Sequence, residues 1–233
     1  MIVLRSVLFT AWLYGSMAVV GLGGLPLLLG PRQWALAVIR VWASSVLWGL
    51  KVFAGGRVEF RGLEHRPTGA ALVAAKHQGM LDVIVPFLLL PDPCFVLKRE
   101  LMWLPVFGWY AWKTDMIPID RSAGATALKS MVARGKARLA QGRQIVIFPE
   151  GTRTEPGVDP EYKPGVAGLY RDFDVPCALV ATNSGVVWPA HGFVRRPGVA
   201  VFEFLPALPA GLKRHEFMRE VQGRIETASK ALL

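Results

Sequence analysis

The sequence contains few of the residues on which several protein classes depend. It has two cysteines among 233 residues, Cys94 and Cys177, and they fit no CxxC or Cys/His spacing. This argues against a disulfide-framed fold or a cysteine zinc site, and we expect both thiols to be reduced and buried in a cytosol-facing domain. No G-x-S-x-G segment occurs, which argues against a serine hydrolase. His65, His191 and His215 show no ligand spacing, so no metal is expected.

Acidic residues are also scarce. Lys and Arg number 27 against 17 Asp and Glu, which gives a net charge of +10, and hydrophobic residues make up 52% of the chain. A basic and apolar chain suits an anionic partner, either lipid or nucleic acid. Because the basic residues are scattered and no zinc-finger or RNP-type pattern occurs, we predict an anionic membrane surface as the partner and no nucleic acid.

Charge is absent from one long N-terminal run. Residues 6–29 are uncharged and lie between Arg5 and Arg32. As a helix, 24 residues would cover about 36 Å, enough to enter or span a bilayer. The run is longer than the apolar region of a usual signal peptide, and no clear small-residue cleavage site precedes Pro31. We therefore predict a retained anchor.

A second apolar segment, residues 33–56, carries Arg40 and Lys51 among several tryptophans. The charges interrupt a full span, and tryptophans suit the headgroup level of a membrane. We predict that residues 1–56 form a membrane-associated helical hairpin that dips into one leaflet. The alternative is a pair of buried helices in a soluble core. Basic residues cluster after the first run, which agrees with an inner-membrane protein whose following domain faces the cytoplasm.

From residue 57 the pattern changes to short apolar runs that alternate with helical periodicity. Amphipathic spacing predicts helices over 123–140 and from Leu212 onward. Strands are predicted over residues 57–61, 70–76, 94–98, 116–119, 144–148, 177–181 and 199–205. This alternation predicts an α/β domain over residues 57–233, with a mostly parallel or mixed sheet flanked by helices. The N-terminal hydrophobic two-helix membrane-anchoring motif precedes it.

His77 and Asp82 lie between two apolar runs, five residues apart. Positions i and i+5 point about 140° apart on a helix, and to opposite faces on a strand. The two side chains meet only if the chain turns between them, with His77 leaving a strand and Asp82 entering a helix. The carboxylate would then orient the imidazole as a general base. The alternative is that each residue caps its own element and carries no chemistry.

Two further clusters follow predicted strands. Residues 148–153 read FPEGTR, and they bring an acid, a flexible glycine, a hydroxyl and a guanidinium to a strand end. Arginine can fork a phosphate, and Gly151 lets a ligand approach the backbone. The alternative is a local turn with an internal ion pair. Lys98 and Arg99 end another strand before the uncharged aromatic segment 102–109, and they suit either an anionic headgroup or an ordinary basic helix start.

In this order the clusters resemble the glycerolipid acyltransferases of the 1-acylglycerol-3-phosphate O-acyltransferase (lysophosphatidic acid acyltransferase) type. His77 and Asp82 match the H-x4-D motif of that family, and residues 148–153 match its FPEGTR block residue for residue. Residues 98–101 and 119–121 match its second block, and Pro176 lies where its fourth block has a proline. The resemblance covers about residues 60–189. Many relatives carry Ser where this chain has Gly79, which leaves the role of that position open.

The resemblance implies a reaction without a cofactor. An acyl group would move from acyl-CoA or acyl-ACP to the sn-2 hydroxyl of 1-acyl-glycerol-3-phosphate, giving phosphatidic acid. His77 would be the base, without an acyl-enzyme intermediate, and Asp82 would hold its tautomer. The remaining site residues would bind the acceptor: Lys98, Arg99 and Arg153 at the phosphate, and Glu150, Gly151 and Thr152 at the glycerol. The alternatives are acylation of another lyso-lipid, such as lyso-ornithine lipid, and a non-catalytic membrane-binding protein.

Overall fold

A seven-stranded mixed sheet forms the centre of the protein. The computed structural model describes residues 1–120 and 124–233. All seven predicted strands are confirmed to within three residues at each end: β1 Gly56–Arg61, β2 Ala71–Ala75, β3 Pro93–Lys98, β4 Ile117–Ile119, β5 Gln144–Ile147, β6 Cys177–Thr182 and β7 Gly198–Leu208.

The strand order is β1-β7-β6-β2-β5-β3-β4. Strands β2 to β6 are all parallel, whereas β7 runs antiparallel to β6 and carries β1 parallel to itself. Every residue of β2 and β6 is buried, which explains why these strands read as continuous apolar runs without alternation. The carboxyl ends of five parallel strands therefore open at one edge of the sheet.

Helices cover the sheet and form an N-terminal hairpin. The predicted amphipathic helices are confirmed as α6 and α8, and α8 buries Phe217, Val221 and Ile225. Arg121 and the predicted first residue of α6, Ala123, lie outside the described residues. The helices are α1 Ile2–Gly23, α2 Arg32–Gly49, α3 Leu81–Ile84, α4 Pro86–Leu89, α5 Phe107–Lys113, α6 Gly124–Leu139, α7 Gly165–Phe173 and α8 Arg214–Ala231.

The uncharged N-terminal run does not continue as one helix. Helix α1 ends at Gly23, and a short 3-10 turn, Leu25–Leu29, leads into α2. Helix α2 continues through a π-helical turn, Leu50–Ala54, and ends where Gly55 adopts a left-handed conformation. By length and composition alone, both helical segments are long and apolar enough to cross a membrane. Most of their residues are not buried within the protein.

The hairpin packs against the α/β part at both of its helices. From α1, Phe9 is fully buried and packs edge-on against Trp188, with ring centroids 5.0 Å apart. From α2, Arg32 forms a bidentate ion pair with Asp92, with nitrogen–oxygen distances of 2.5 and 2.6 Å. The fully buried Arg143 donates to the same carboxylate at 3.1 Å. Buried side chains of the hairpin and the sheet consequently form one hydrophobic core.

Both cysteines are free and buried, as predicted. Burial raises the pKa of the Cys94 thiol to about 11 and that of Cys177 to about 12. Because the thiolate is the nucleophilic form, both side chains act as core residues and not as nucleophiles.

Candidate active site

The predicted cluster assembles at the carboxyl edge of the central strands. Strand β2 lies between β5 and β6, so the segments that follow these three strands are neighbours. The segment after β2 turns into α3 and brings His77 and Asp82 together, with 3.1 Å between Nδ1 and Oδ2. The turn that the five-residue spacing requires is therefore present.

Four hydrogen-bonding groups converge on the buried Asp82 carboxylate. Its Oδ2 accepts from the backbone N–H groups of Gln78 at 2.5 Å and Gly79 at 2.7 Å, in addition to its contact with His77. Its Oδ1 accepts from the Ser184 hydroxyl at 2.5 Å. The carboxylate is 1% exposed, so these four groups satisfy a charge that is almost fully removed from solvent.

The His77 ring is held on one face and at one nitrogen. It stacks on Phe148, with centroids 4.0 Å apart and an interplanar angle of 15°. The backbone N–H of His77 donates to Glu150 Oε1 at 3.0 Å, and its carbonyl accepts from the Thr154 N–H at 2.8 Å. Within residues 1–120 and 124–233, Nε2 has no hydrogen-bond partner, and the side chain is 13% exposed. Nε2 is the nitrogen left for a bound ligand.

Glu150 is buried behind the backbone of His77, from whose N–H it accepts a hydrogen bond. It is 2% exposed, and in the described part of the chain its Oε2 has no hydrogen-bond partner. Burial raises the pKa of Glu150 to about 7, although the N–H of His77 and the charge of Lys76, 3.5 Å away, act in the opposite direction. The structure therefore shows Glu150 holding the backbone of His77. Direct contact between Glu150 and a substrate remains a prediction.

A buried charge network that no sequence motif indicates lies next to His77. Lys76 is 1% exposed, and its Nζ lies 2.8 and 2.7 Å from the two carboxylate oxygens of Glu226 on α8. The Tyr162 hydroxyl donates to Glu226 Oε1 at 2.8 Å. A charged residue at the end of a fully buried strand was the one signal in the sequence that Lys76 needs a partner. Nothing pointed to Glu226, 150 residues later.

The remainder of the FPEGTR segment reaches the surface next to the histidine turn. Gly151 has a φ of 70°, a left-handed conformation that favours glycine. Thr152 and Arg153 are both exposed. Arg153 Nη2 lies 3.2 Å from the Met80 sulfur, which places the guanidinium beside the turn that carries His77.

Lys98 and Arg99 lie on the same sheet edge, at the end of β3. Strand β5 separates β3 from β2, so the backbone of β3 runs about 10 Å to the side of the strand that ends at the His77 turn. Both side chains are more than half exposed, and each has a carboxylate partner, Glu100 at 3.6 Å and Asp120 at 3.1 Å respectively. The structure thus places them at the rim of the site.

The aromatic segment that follows Arg99 forms a groove next to the hairpin. The groove has a volume of about 580 Å³, and its lining includes Leu28, Met102 and Trp109. Trp103 and Trp112 also line it and are 83% and 74% exposed. Tryptophan side chains with this much exposed apolar surface are typical of a surface that binds lipid or a partner.

The raised pKa of Glu150 predicts a pH-dependent stability. In the unfolded chain this carboxyl ionises near pH 4.5, whereas in the folded protein it ionises near pH 7. The free energy of unfolding should therefore decrease by about 3 kcal/mol as the pH rises through this window, because the unfolded state loses its proton first. Glu150→Gln does not titrate, so this component should disappear from denaturant titrations in detergent at pH 5, 6, 7 and 8. The exposed Glu161→Gln is the control, and identical pH profiles for wild type and Glu150→Gln would contradict the prediction.

A mixed α/β sheet that presents a hydrogen-bonded His–Asp pair at the carboxyl edge of its parallel strands has the layout of an enzyme site. The family model described as Acyltransferase matches residues 57–182. The 1-acyl-sn-glycerol-3-phosphate acyltransferase of Pseudomonas aeruginosa is 33% identical over 189 residues, 81% of this chain and 74% of that protein. This chain belongs to the acyltransferase family, and it is an acyltransferase.

Two further comparisons give the extent of the likeness. The 1-acyl-sn-glycerol-3-phosphate acyltransferase alpha of Mus musculus is 35% identical over 136 residues, which are 58% of this chain and 48% of the mouse protein. This chain therefore matches about half the length of that relative. The crystal structure of the 1-acyl-sn-glycerophosphate (LPA) acyltransferase PlsC from Thermotoga maritima has a TM-score of 0.81 at 20% identity and covers 100% of this chain and 99% of that one. Its likeness concerns the fold.

Proposed function

We propose that this enzyme transfers an acyl group from a thioester to the sn-2 hydroxyl of 1-acyl-glycerol-3-phosphate, giving phosphatidic acid in phospholipid biosynthesis. The hydrogen-bonded His77–Asp82 pair carries the proposal, because its Nε2 is available to a ligand and Arg153 lies beside the same turn. The names of the Pseudomonas and mouse relatives support this acceptor.

The proposed chemistry is a single displacement at the thioester carbonyl. His77 Nε2 takes the proton of the acceptor hydroxyl as its oxygen bonds to the carbonyl carbon. The carbon–sulfur bond then breaks, and the thiol leaves with the proton. Asp82 accepts a hydrogen bond from the Nδ1–H group, which keeps Nε2 as the basic nitrogen. Its negative charge also stabilises the imidazolium that forms. No acyl-enzyme intermediate is needed.

We propose that the cations at the sheet edge bind the acceptor phosphate. Arg153 is the principal ligand because its exposed guanidinium lies beside the His77 turn, and a guanidinium can fork a phosphate. Lys98 and Arg99 at the rim add positive charge. Gly151 and Thr152 shape the glycerol site, and Glu150 acts there through the backbone of His77.

We further propose that residues 1–56 are a membrane-associated hairpin and residues 57–233 the acyltransferase domain. The two long apolar helices and the exposed Trp103 and Trp112 support binding to an anionic membrane surface. The thioester donors, acyl-CoA or acyl-ACP, are cytosolic, so the site would face the cytoplasm from the inner membrane.

The proposed reaction is tested with purified protein in mixed micelles. Radiolabelled acyl-CoA and acyl-ACP are offered separately, each with lysophosphatidic acid or lyso-ornithine lipid as acceptor. We expect labelled phosphatidic acid and release of one thiol per acyl group transferred. Label that appears only in ornithine lipid would overturn the proposed acceptor. Thioester hydrolysis without any acylated lipid would overturn the transfer reaction.

Arg153→Ala should weaken binding of the phosphorylated acceptor. Removal of a charge-assisted contact costs about 1.5–3 kcal/mol, so we expect the KM for lysophosphatidic acid to rise about ten- to a hundredfold. The KM for the thioester should stay near the wild-type value. Arg171→Ala, which removes an exposed arginine from α7, is the matched control. An unchanged acceptor KM in Arg153→Ala would remove this residue from the phosphate site.

A further inference from the structure

The second oxygen of Asp82 has a hydrogen-bond donor from a distant part of the chain. Ser184 starts a short 3-10 turn, Ser184–Val186, immediately after β6, and it is fully buried. Its hydroxyl lies 2.5 Å from Asp82 Oδ1, whereas the contacts with His77 and its neighbours are all at Oδ2. Among the described residues, Ser184 is the one partner of Oδ1, and the mechanism above assigns it no role.

The same segment excludes a side chain from position 79. A Cβ built on Gly79 would lie 2.3 Å from the backbone carbonyl oxygen of Trp188. The backbone of Trp188 is fixed in turn, because its N–H donates to the carbonyl of Ser184 at 2.9 Å. A local hydroxyl at position 79 is therefore not accommodated in this backbone. The hydroxyl that reaches the carboxylate comes from residue 184 instead.

Ser184 is itself held tightly in place. Its backbone N–H donates to the Thr182 hydroxyl at 3.0 Å, and the N–H of Gly185 donates to the Gln78 side chain at 3.0 Å. Gln78 belongs to the turn that carries His77, so a second hydrogen bond joins the two segments next to the Ser184–Asp82 contact. A hydroxyl placed so rigidly can fix the rotation of the carboxylate about its Cβ–Cγ bond.

We propose that Ser184 is a positioning residue, which holds Asp82 and through it the His77 imidazole in the orientation that proton transfer requires. The inference rests on the proposed function of the His77–Asp82 pair. Because Ser184 is fully buried and its hydroxyl contacts Asp82, we assign its effect to Asp82 and not to direct contact with a substrate. Its removal should therefore act on the rate of the chemical step and leave substrate binding unchanged.

The test compares Ser184→Ala, Ser184→Thr and Ser229→Ala in the lysophosphatidic acid assay. Ser229 is a matched control, because it is also a buried serine next to β6, and its hydroxyl accepts from the Thr182 N–H at 3.3 Å without touching Asp82. We expect Ser184→Ala to lower kcat about ten- to a hundredfold, the effect of losing one hydrogen bond to a charged group, with both KM values within twofold of wild type. Ser184→Thr keeps the hydroxyl and should restore most of kcat.

Ser184→Ala should lower the melting temperature more than Ser229→Ala, because it leaves a buried carboxylate oxygen without its donor, and Ser229→Ala should keep its kcat. A kcat of Ser184→Ala within twofold of wild type would overturn the inference. So would a folded Ser184→Thr protein without recovered kcat, or an equal loss in Ser229→Ala. Wild type and His77→Ala are measured in parallel. Inactive wild type or active His77→Ala is a failure of the proposed function, distinct from a failure of Ser184 alone.

Discussion

We expect His77→Ala to abolish measurable acyl transfer and to leave the protein folded. The imidazole is the group at the sheet edge that presents an open nitrogen, and its other nitrogen lies on a carboxylate with three further hydrogen-bond donors. A positioned general base contributes about 10²–10⁴ in rate, so the remaining turnover should fall to the background of the assay.

The loss should appear in kcat and not in stability. Truncation removes the stack on Phe148, but the buried Asp82 keeps its three other hydrogen-bond donors, so the fold should be retained. Thermal melting in detergent should shift by a few degrees at most. His65→Ala serves as the control, because His65 is an exposed histidine in the short 3-10 turn before β2, and its ion-pair partner is Glu64. Turnover of His77→Ala near the wild-type rate would contradict general-base catalysis by this residue.

Lys76→Met has the largest expected effect on stability. The ammonium lies between two buried carboxylates, with contacts of 2.7 and 2.8 Å to Glu226 and 3.5 Å to Glu150. Methionine has a similar length but no charge, so two buried acids lose their shared cation. Breaking a buried ion pair on one side typically costs about 3–5 kcal/mol, and we expect a loss of that size in the free energy of unfolding at pH 8.

Two further variants test this explanation. Lys230→Met removes an exposed lysine that pairs with Asp159 at the surface, and its effect should stay below about 1 kcal/mol. Addition of Glu226→Gln to Lys76→Met removes one of the uncompensated acids and should recover part of the loss. The free energies of unfolding of wild type, the two single variants and the double variant are measured by denaturant titration in detergent. If Lys76→Met costs no more than Lys230→Met, the buried network does not stabilise the fold as described.

Local patterns were sufficient to predict the strands, the two amphipathic helices and the two site segments. Strands β2 and β6 are buried on both faces and are therefore continuous apolar runs, which can be predicted as strands without knowing which elements pack against them. The His77–Asp82 contact is visible for a similar reason, because a five-residue spacing permits contact only through a turn.

Contacts between distant segments could not be predicted in this way. Ser184 and Asp82 are 102 residues apart, and Lys76 and Glu226 are 150 residues apart. Neither pair has a spacing rule, since they meet only because β6 lies beside β2 and α8 packs on β6. The need for glycine at position 79 could not be predicted for the same reason, because the carbonyl oxygen that leaves no room for a Cβ there belongs to Trp188.

The ion pair between Lys76 and Glu226 also has a consequence for biosynthesis. When the ribosome has just completed β2, the partner of Lys76 is still 150 residues from being made. Both sheet neighbours of β2 are also translated later, since β5 begins at residue 144 and β6 at residue 177. The two long apolar N-terminal helices are therefore translated before the strands that flank β2. In the proposed membrane arrangement, the hairpin can therefore reach the membrane before the α/β part is complete, and a chain that ends before Glu226 lacks the ion-pair partner of Lys76.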